Sequence, residues 1–152
     1  MKHYFTLFVF IFCLFISQVE LYAQTTLTKN TETHQLTRIL FIYDASNSMW
    51  GDWQSDKKVN IASRLLSRMI DSLAEYANTE LALRVYGHQK EFQLYDCSDT
   101  KLEIPFAPDN HIKIKQKLKT IYPKGTTPIA KSLQAAGKDF PDCKDCRNII
   151  IL

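Results

Sequence analysis

A chain of 152 residues with a formal net charge of +3 holds enough sequence for one core of ordinary size and too little for two domains once its leader is set aside. Its composition, 45% hydrophobic and 23% charged without repeats or low-complexity tracts, is globular and excludes a disordered or fibrous protein. Part of the positive excess lies in the Lys-rich run 113–119, which has no interleaved aromatics or Arg cluster; it argues against a surface that tracks a nucleic-acid backbone and reads as a solvated helix face.

In chain order, Lys2 and His3 precede an apolar run over residues 4–16, and a more polar stretch ends in Leu-Tyr-Ala at Ala23. That is the pattern of a secretory signal peptide over residues 1–23, with the small side chain of Ala23 suited to the cut. A membrane span needs about 20 consecutive apolar residues. This run is shorter, breaks at Ser17 and Gln18 and leads into no stop-transfer pattern, so no stable span is expected in the mature chain. Cys13 leaves with the signal. Export places the remainder in the periplasm, on the cell surface or in the medium. The polar, Thr-rich residues 24–37 read as a flexible lead-in, and residues 38–152 as the folded domain.

Residues 38–43, Arg-Ile-Leu-Phe-Ile-Tyr, form a nearly continuous apolar run rich in β-formers, the pattern of a strand buried on both faces of a parallel sheet. It ends at Asp44. After a loop holding Gly51, apolar positions including Ala62, Leu66, Ile70, Leu73 and Ala77 recur at helical spacing and predict a helix over about 57–77. Residues 81–86 read as a second strand stopped by Gly87, and 101–106 as a third stopped between Pro105 and Pro108. Ile112, Leu118 and Ile121 mark a short Lys-rich helix, capped by Asp109 and ended by Pro123. A further helix opens at Gly125-Thr-Thr-Pro128, where proline is tolerated because the first N–H has no intrahelical partner. Residues 148–152 read as another buried strand that stops without a polar exit, which predicts a domain truncated before its last strands and helices. The alternation predicts an α/β fold: a doubly wound, mostly parallel sheet with helices on both faces, right-handed crossovers and ligands at the carboxyl ends of the strands.

Export also bears on the cysteines, since Cys97, Cys143 and Cys146 would meet an oxidising compartment. The number is odd, so either one thiol stays free or its partner lies beyond Leu152. Cys143-Lys-Asp-Cys146 is half of a zinc-ribbon spacing, but no second pair follows, which favours a disulfide over a metal. Redox catalysis is disfavoured because the motif precedes a strand instead of following one into a helix.

The residues with the most specific chemistry are Asp44, Ser46 and Ser48, in the loop leaving the first strand, and Thr127 before the last helix. All four offer hard oxygen donors, suited to Mg²⁺, Mn²⁺ or Ca²⁺ and not to soft metals. Each also has a plainer reading: serines satisfying backbone groups in a turn, Asp44 closing a strand end, Thr127 capping a helix. Met49, Trp50 and Trp53 follow directly and would form a contact rim, or would fold back onto the domain. His88, in the turn after the second strand, reads as merely solvated.

A hydrophobic strand ending in D-x-S-x-S, then an amphipathic helix, then Gly125-Thr126-Thr127-Pro128-Ile129-Ala130-Lys131-Ser132-Leu133, resembles the von Willebrand factor A domain with its metal-ion-dependent adhesion site, over residues 38–152. Two motifs in the required order make the resemblance specific. Tyr86-Gly-His88 and the stretch 96–105 also resemble bacterial secreted members. The resemblance implies that Asp44, Ser46, Ser48 and Thr127 hold a divalent cation, and that a protein ligand presenting an acidic side chain completes its shell. A fifth family position, an Asp in a turn after the last strand here, would lie past Leu152. Two rivals remain. A haloacid-dehalogenase-like phosphatase would use Asp44 as nucleophile but needs a second carboxylate where Ser46 stands, and a structural exported domain would carry the same residues as a non-functional metal site. A serine hydrolase lacks its G-x-S-x-G elbow.

Overall fold

The computed structural model describes residues 35–152; the signal-peptide reading of residues 1–23, with Cys13, and most of the lead-in lie outside the described residues. Six strands and three α-helices follow in order, besides short 3-10 turns at Asn47–Trp50 and Phe92–Leu94: β1 (Thr37–Asp44), β2 (Asp52–Trp53), β3 (Asp56–Lys57), α1 (Lys58–Leu73), β4 (Thr79–Tyr86), β5 (Thr100–Ala107), α2 (His111–Leu118), α3 (Ile129–Asp139) and β6 (Arg147–Ile151). The main sheet has the order β5-β4-β1-β6. β4 and β6 flank β1 and run parallel to it, whereas β2 and β3 form a separate small hairpin.

The apolar run of β1 explains its central place. Ile39, Phe41 and Tyr43 point to one face with Leu81, Leu83 and Val85, and pack under Val59 and Ile70 of α1 and Ile114 and Leu118 of α2. Leu40 and Ile42 point to the other with Ala82 and Tyr86, beneath Ala136 of α3, where Phe106 and Phe140 stack at 4.8 Å. Successive side chains of a strand alternate in direction, so a strand apolar at every position requires a cover on each side. The doubly wound, mostly parallel sheet with helices on both faces is therefore as expected.

The departures have local causes. β5 runs antiparallel to β4, because the connection between them holds no α-helix and a parallel return needs a crossover. It is an edge strand, where Pro105 is tolerated. Helix α1 stops at Leu73, short of Ala77: Tyr76 N–H turns back to Leu73 O at 3.2 Å, and Asn78 adopts φ 55° before its carbonyl accepts from Thr37 N–H. Asp109, expected to cap α2, lies at φ 58° and leaves that place to Asn110. The buried Asn110 amide instead donates to Leu81 O at 2.8 Å and Pro105 O at 2.7 Å, tying the helix start to two strands.

Two ion pairs hold the α3 side. Arg84 on β4 donates through Nε and Nη2 to both oxygens of Asp139, at 2.6 and 2.7 Å, and through Nη1 to Thr100 Oγ1. Both side chains of the pair are at most 10% exposed. Arg38 pairs with Glu80 at 2.8 Å and donates to Pro141 O at 2.9 Å. Together they fasten the end of α3 and the segment after it to the sheet. Removing one partner of such a pair strands a charge away from water, so Asp139→Ala should lower unfolding free energy by about 3 kcal/mol, read from the urea midpoint at unchanged m-value; a loss below about 1 kcal/mol would refute this role.

Candidate functional site

Three stretches of backbone meet at the carboxyl end of the sheet. Leaving β1, Ala45 N–H donates to Tyr86 O at 2.9 Å, which keeps the loop beside the end of β4. Ser46 forms an isolated parallel bridge with Gly125, and Asn47 N–H donates to Gly125 O at 2.9 Å. Lys124 and Gly125 N–H groups both donate to Gly87 O, at 3.1 and 2.8 Å. The approach is so close that a Cβ on Gly87, at φ 72°, would lie 2.7 Å from Ser46 Cα and 2.6 Å from Thr126 O. One on Gly125 would lie 2.7 Å from Asp99 Oδ2. Only glycine fits at either position.

The clamp brings the loop of Asp44, Ser46 and Ser48 to the loop that carries Thr127. Asp44, half-buried, accepts from Ser46 N–H through Oδ1 at 2.7 Å. Ser46 is 1% exposed, and its Oγ lies 3.1 Å from Ser48 Oγ. Thr127 is exposed, two residues past the bridged Gly125. Its carbonyl accepts from Ile129 N–H, and no side chain caps α3, so the plainer reading of Thr127 as a helix cap finds no support in the hydrogen bonding. The donors suit a hard cation: neighbouring oxygens around an octahedral ion at about 2.1 Å stand about 3 Å apart, the spacing of the two serine hydroxyls. Among the described residues no group of three or more His, Cys, Asp and Glu side chains is arranged to hold a metal. The oxygen set at Asp44 has a single carboxylate.

The surroundings keep Asp44 next to neutral hydroxyls. Burial, and after it the charge of Asp44, holds the Tyr86 hydroxyl well above its usual range. The same two causes push Tyr43 up to about 12, and Tyr43 donates to Val59 O at 3.0 Å. Neither phenol adds negative charge near neutral pH.

The loop between β4 and β5 is braced by carboxylates. Asp99, 1% exposed, accepts from the N–H groups of Gln89 and Lys90. Asp96 accepts from Ser98 N–H and the Lys90 ammonium, which hold its carboxyl well below the usual range, the Lys90 hydrogen bond first. Thr126 Oγ1 donates to Asp96 O at 2.7 Å and joins this loop to the clamp. His88, expected to be solvated, is instead half-buried: its Nε2 donates to Glu103 at 2.8 Å, while Nδ1 has no protein partner. Lys101 and Lys117 reach the same carboxylate at 3.1 and 2.6 Å. Nothing local announced these partners, since each lies at least nine residues away apart from the Lys90 and Ser98 contacts of Asp96 and the Lys101 contact of Glu103.

The three rim residues separate. Met49 packs against the core under α1. Trp50 donates from Nε1 to Pro123 O at 2.6 Å yet stays 43% exposed. Trp53, on the small hairpin, is 58% exposed. Cys143 and Cys146 form a disulfide, whereas Cys97, the third candidate, is free and exposed. Among the described residues no helix is long and apolar enough to cross a membrane.

No family model matches the chain. It is 29% identical over 121 residues to the uncharacterized protein YwmD of Bacillus subtilis (strain 168), covering 76% of this chain and 53% of that one. With YwmC of the same organism it is 29% identical over 114 residues, covering 72% and 49%. The chain thus spans about half the length of these curated relatives. Its fold is similar to that of the vWF domain of the type V pili tip protein Mfa5 from Porphyromonas gingivalis, with a TM-score of 0.55 at 21% identity, covering 76% of this chain and 36% of that one. The PilB minor pilin from Streptococcus sanguinis gives 0.54 at 20% identity, covering 66% and 25%. The SpRpn10 VWA domain gives 0.51 at 10%, covering 68% and 50%. At these identities the likeness is one of fold, and it includes von Willebrand factor A domains.

The Glu103 cluster yields a pH dependence. Burial pushes its carboxyl up, but hydrogen bonds from Lys117, His88 and Lys101 outweigh it and lower the pKa from 4.5 to about 2. A group depressed in the folded state contributes stability above its unfolded pKa, and that contribution is lost as pH falls through the folded value. Acid unfolding of the native chain should therefore steepen between about 4.5 and about 2, and Glu103→Gln should flatten that limb. An unchanged acid limb would rule the cluster out as its source.

Proposed function

We propose that this chain is an exported von Willebrand factor A-type module that binds a protein ligand through a divalent cation, in adhesion or complex assembly, and catalyses no reaction. Asp44, Ser46, Ser48 and Thr127 would hold the ion, Mg²⁺ or, on the same donors, Mn²⁺ or Ca²⁺. The observation that carries the reading is the Ser46–Gly125 bridge, which joins the two motif-bearing loops at the carboxyl end of the sheet while Ser46 and Ser48 keep their hydroxyls 3.1 Å apart.

The chemistry follows from the donor set. A bound divalent ion would supply an electrophilic point that attracts a carboxylate. This chain's part is to fix the donors and keep the charge low. Asp44 is oriented by Ser46 N–H, and the buried Ser46 is held by the bridge to Gly125. An acidic side chain from a partner is thus the natural complement. Fold similarity to a type V pili tip protein and a minor pilin supports adhesion or assembly, and the Cys143–Cys146 disulfide supports an oxidising, extracytoplasmic location.

The phosphatase rival is weaker, because Ser46 stands where a second carboxylate would be needed and its Oγ faces Ser48. A structural domain with a non-functional metal site makes the opposite prediction about metal. In calorimetry with Mg²⁺, Asp44→Ala should weaken binding by at least tenfold while the near-UV spectrum keeps its native form. Equal Mg²⁺ affinity in the two proteins would defeat the assignment, and phosphatase turnover dependent on Asp44 would favour the enzyme.

A further inference from the structure

A groove of about 410 Å³ runs between α1 and the segment from α2 to Pro123. Its floor includes Val59, Leu118 and Ile121, all buried. Trp50 and Pro123 stand at one end, joined by the indole hydrogen bond. Trp50 is two residues from Ser48, and Pro123 two residues from the bridged Gly125. This end of the groove is therefore close along the chain to both loops of the candidate cation site. Tyr122, 65% exposed, adds a second aromatic wall.

Its charge has one sign. Arg64, Lys115 and Lys119 line it, and no carboxylate does. Arg64 pairs with Asp56 through Nη1 alone, and Lys115 with Asp71; both acids lie outside the lining, and each cation keeps further donors. Among the described residues Lys119 takes part in no ion pair. Along α1 the lining extends from Val59 to Ser67, roughly 12 Å at 1.5 Å per residue, which matches about three to four residues of extended chain.

We infer that this groove receives an extended acidic segment of the protein partner, flanking the carboxylate that the cation would bind, with an apolar side chain against Trp50 and Tyr122 and a following carboxylate at Lys119. The inference rests on the cation-dependent reading of the site and adds to it the partner's chemistry: acidic and aromatic residues close to the coordinating carboxylate. A purely apolar partner would leave Lys119 unpaired, whereas an acidic one without apolar residues would leave the floor of the groove exposed to water.

The probe is a fluorescein-labelled peptide, Asp-Phe-Glu-Glu-Leu-Glu, titrated with the full chain in Mg²⁺ and followed by fluorescence anisotropy. Lys119→Glu should weaken its binding at least fivefold with an unchanged Mg²⁺ isotherm. Lys131→Glu, an equal change of charge on the exposed face of α3, should stay within twofold. The amide counterpart, Asn-Phe-Gln-Gln-Leu-Gln, should bind at least tenfold more weakly to the native chain. Equal losses in the two variants, or equal affinity for the two peptides, would overturn the groove. If the native chain takes up no Mg²⁺, the cation reading fails separately, and the same titrations without metal still decide the groove by the contrast between Lys119→Glu and Lys131→Glu.

Discussion

Ser46, Gly87 and Gly125 approach one another so closely that hydrogen bonds and van der Waals contact run directly between their backbones. The candidate site depends on this clamp. A loop after a central strand has no fixed neighbour of its own, and its side chains would sample many arrangements. Here the sheet supplies one side of the clamp, because Ala45 N–H still bonds to Tyr86 O beyond the last rung of β1 and β4. Gly125 supplies the other. Two glycines remove the side chains that would hold the three backbones apart, and the hydroxyls of Ser46 and Ser48 inherit the precision of the peptide groups.

The sheet beneath gives the clamp its rigidity by an unrelated means. β1 is covered on one face by α1 and α2 and on the other by α3, and its five consecutive residues Ile39, Leu40, Phe41, Ile42 and Tyr43 are each at most 6% exposed. Displacing β1 would uncover apolar surface on both faces at once, at about 25 cal/mol per Å². The Arg84–Asp139 and Arg38–Glu80 pairs add direction where apolar packing is indifferent: they fix how α3 and the chain after it lie on the sheet. Pro128 and Ser132, joined by a buried hydroxyl hydrogen bond of 2.8 Å, carry that position back to the turn that holds Thr127.

What was legible in the sequence was whatever a residue's own neighbours determine. The unbroken apolar run of β1, the helical recurrence of Ala62, Leu66 and Ile70, and the hydroxyls at alternate positions after Asp44 all write their pattern locally. The orientation of β5 was not legible in its own residues, since it follows from the absence of a helix in the connection before it. Nothing in its own neighbours marks Asn110, because its role lies in carbonyls of Leu81 and Pro105 that only the folded chain brings near. His88 was misjudged for the same reason: Glu103 is fifteen residues on, across a strand pairing, and Lys117 belongs to a different element. Trp50 was left between two readings and takes part of each, bonded to Pro123 yet open to solvent.

The proposed ligand chemistry comes down to a balance of charge. Asp44 is the one carboxylate in the donor set, so a divalent ion there would keep a net positive charge. The nearby carboxylates Asp96, Asp99 and Glu103 are occupied by backbone N–H groups, Lys90, Lys101, Lys117 and His88. Each is committed to bracing a loop, which leaves none of them free to serve the ion without dismantling its own support. The acids around the site therefore strengthen the scaffold and would leave the proposed cation short of a carboxylate, and Lys119 in the groove beside Trp50 carries positive charge outward. A carboxylate from another molecule would then be the group that both the proposed ion and the surface around it lack.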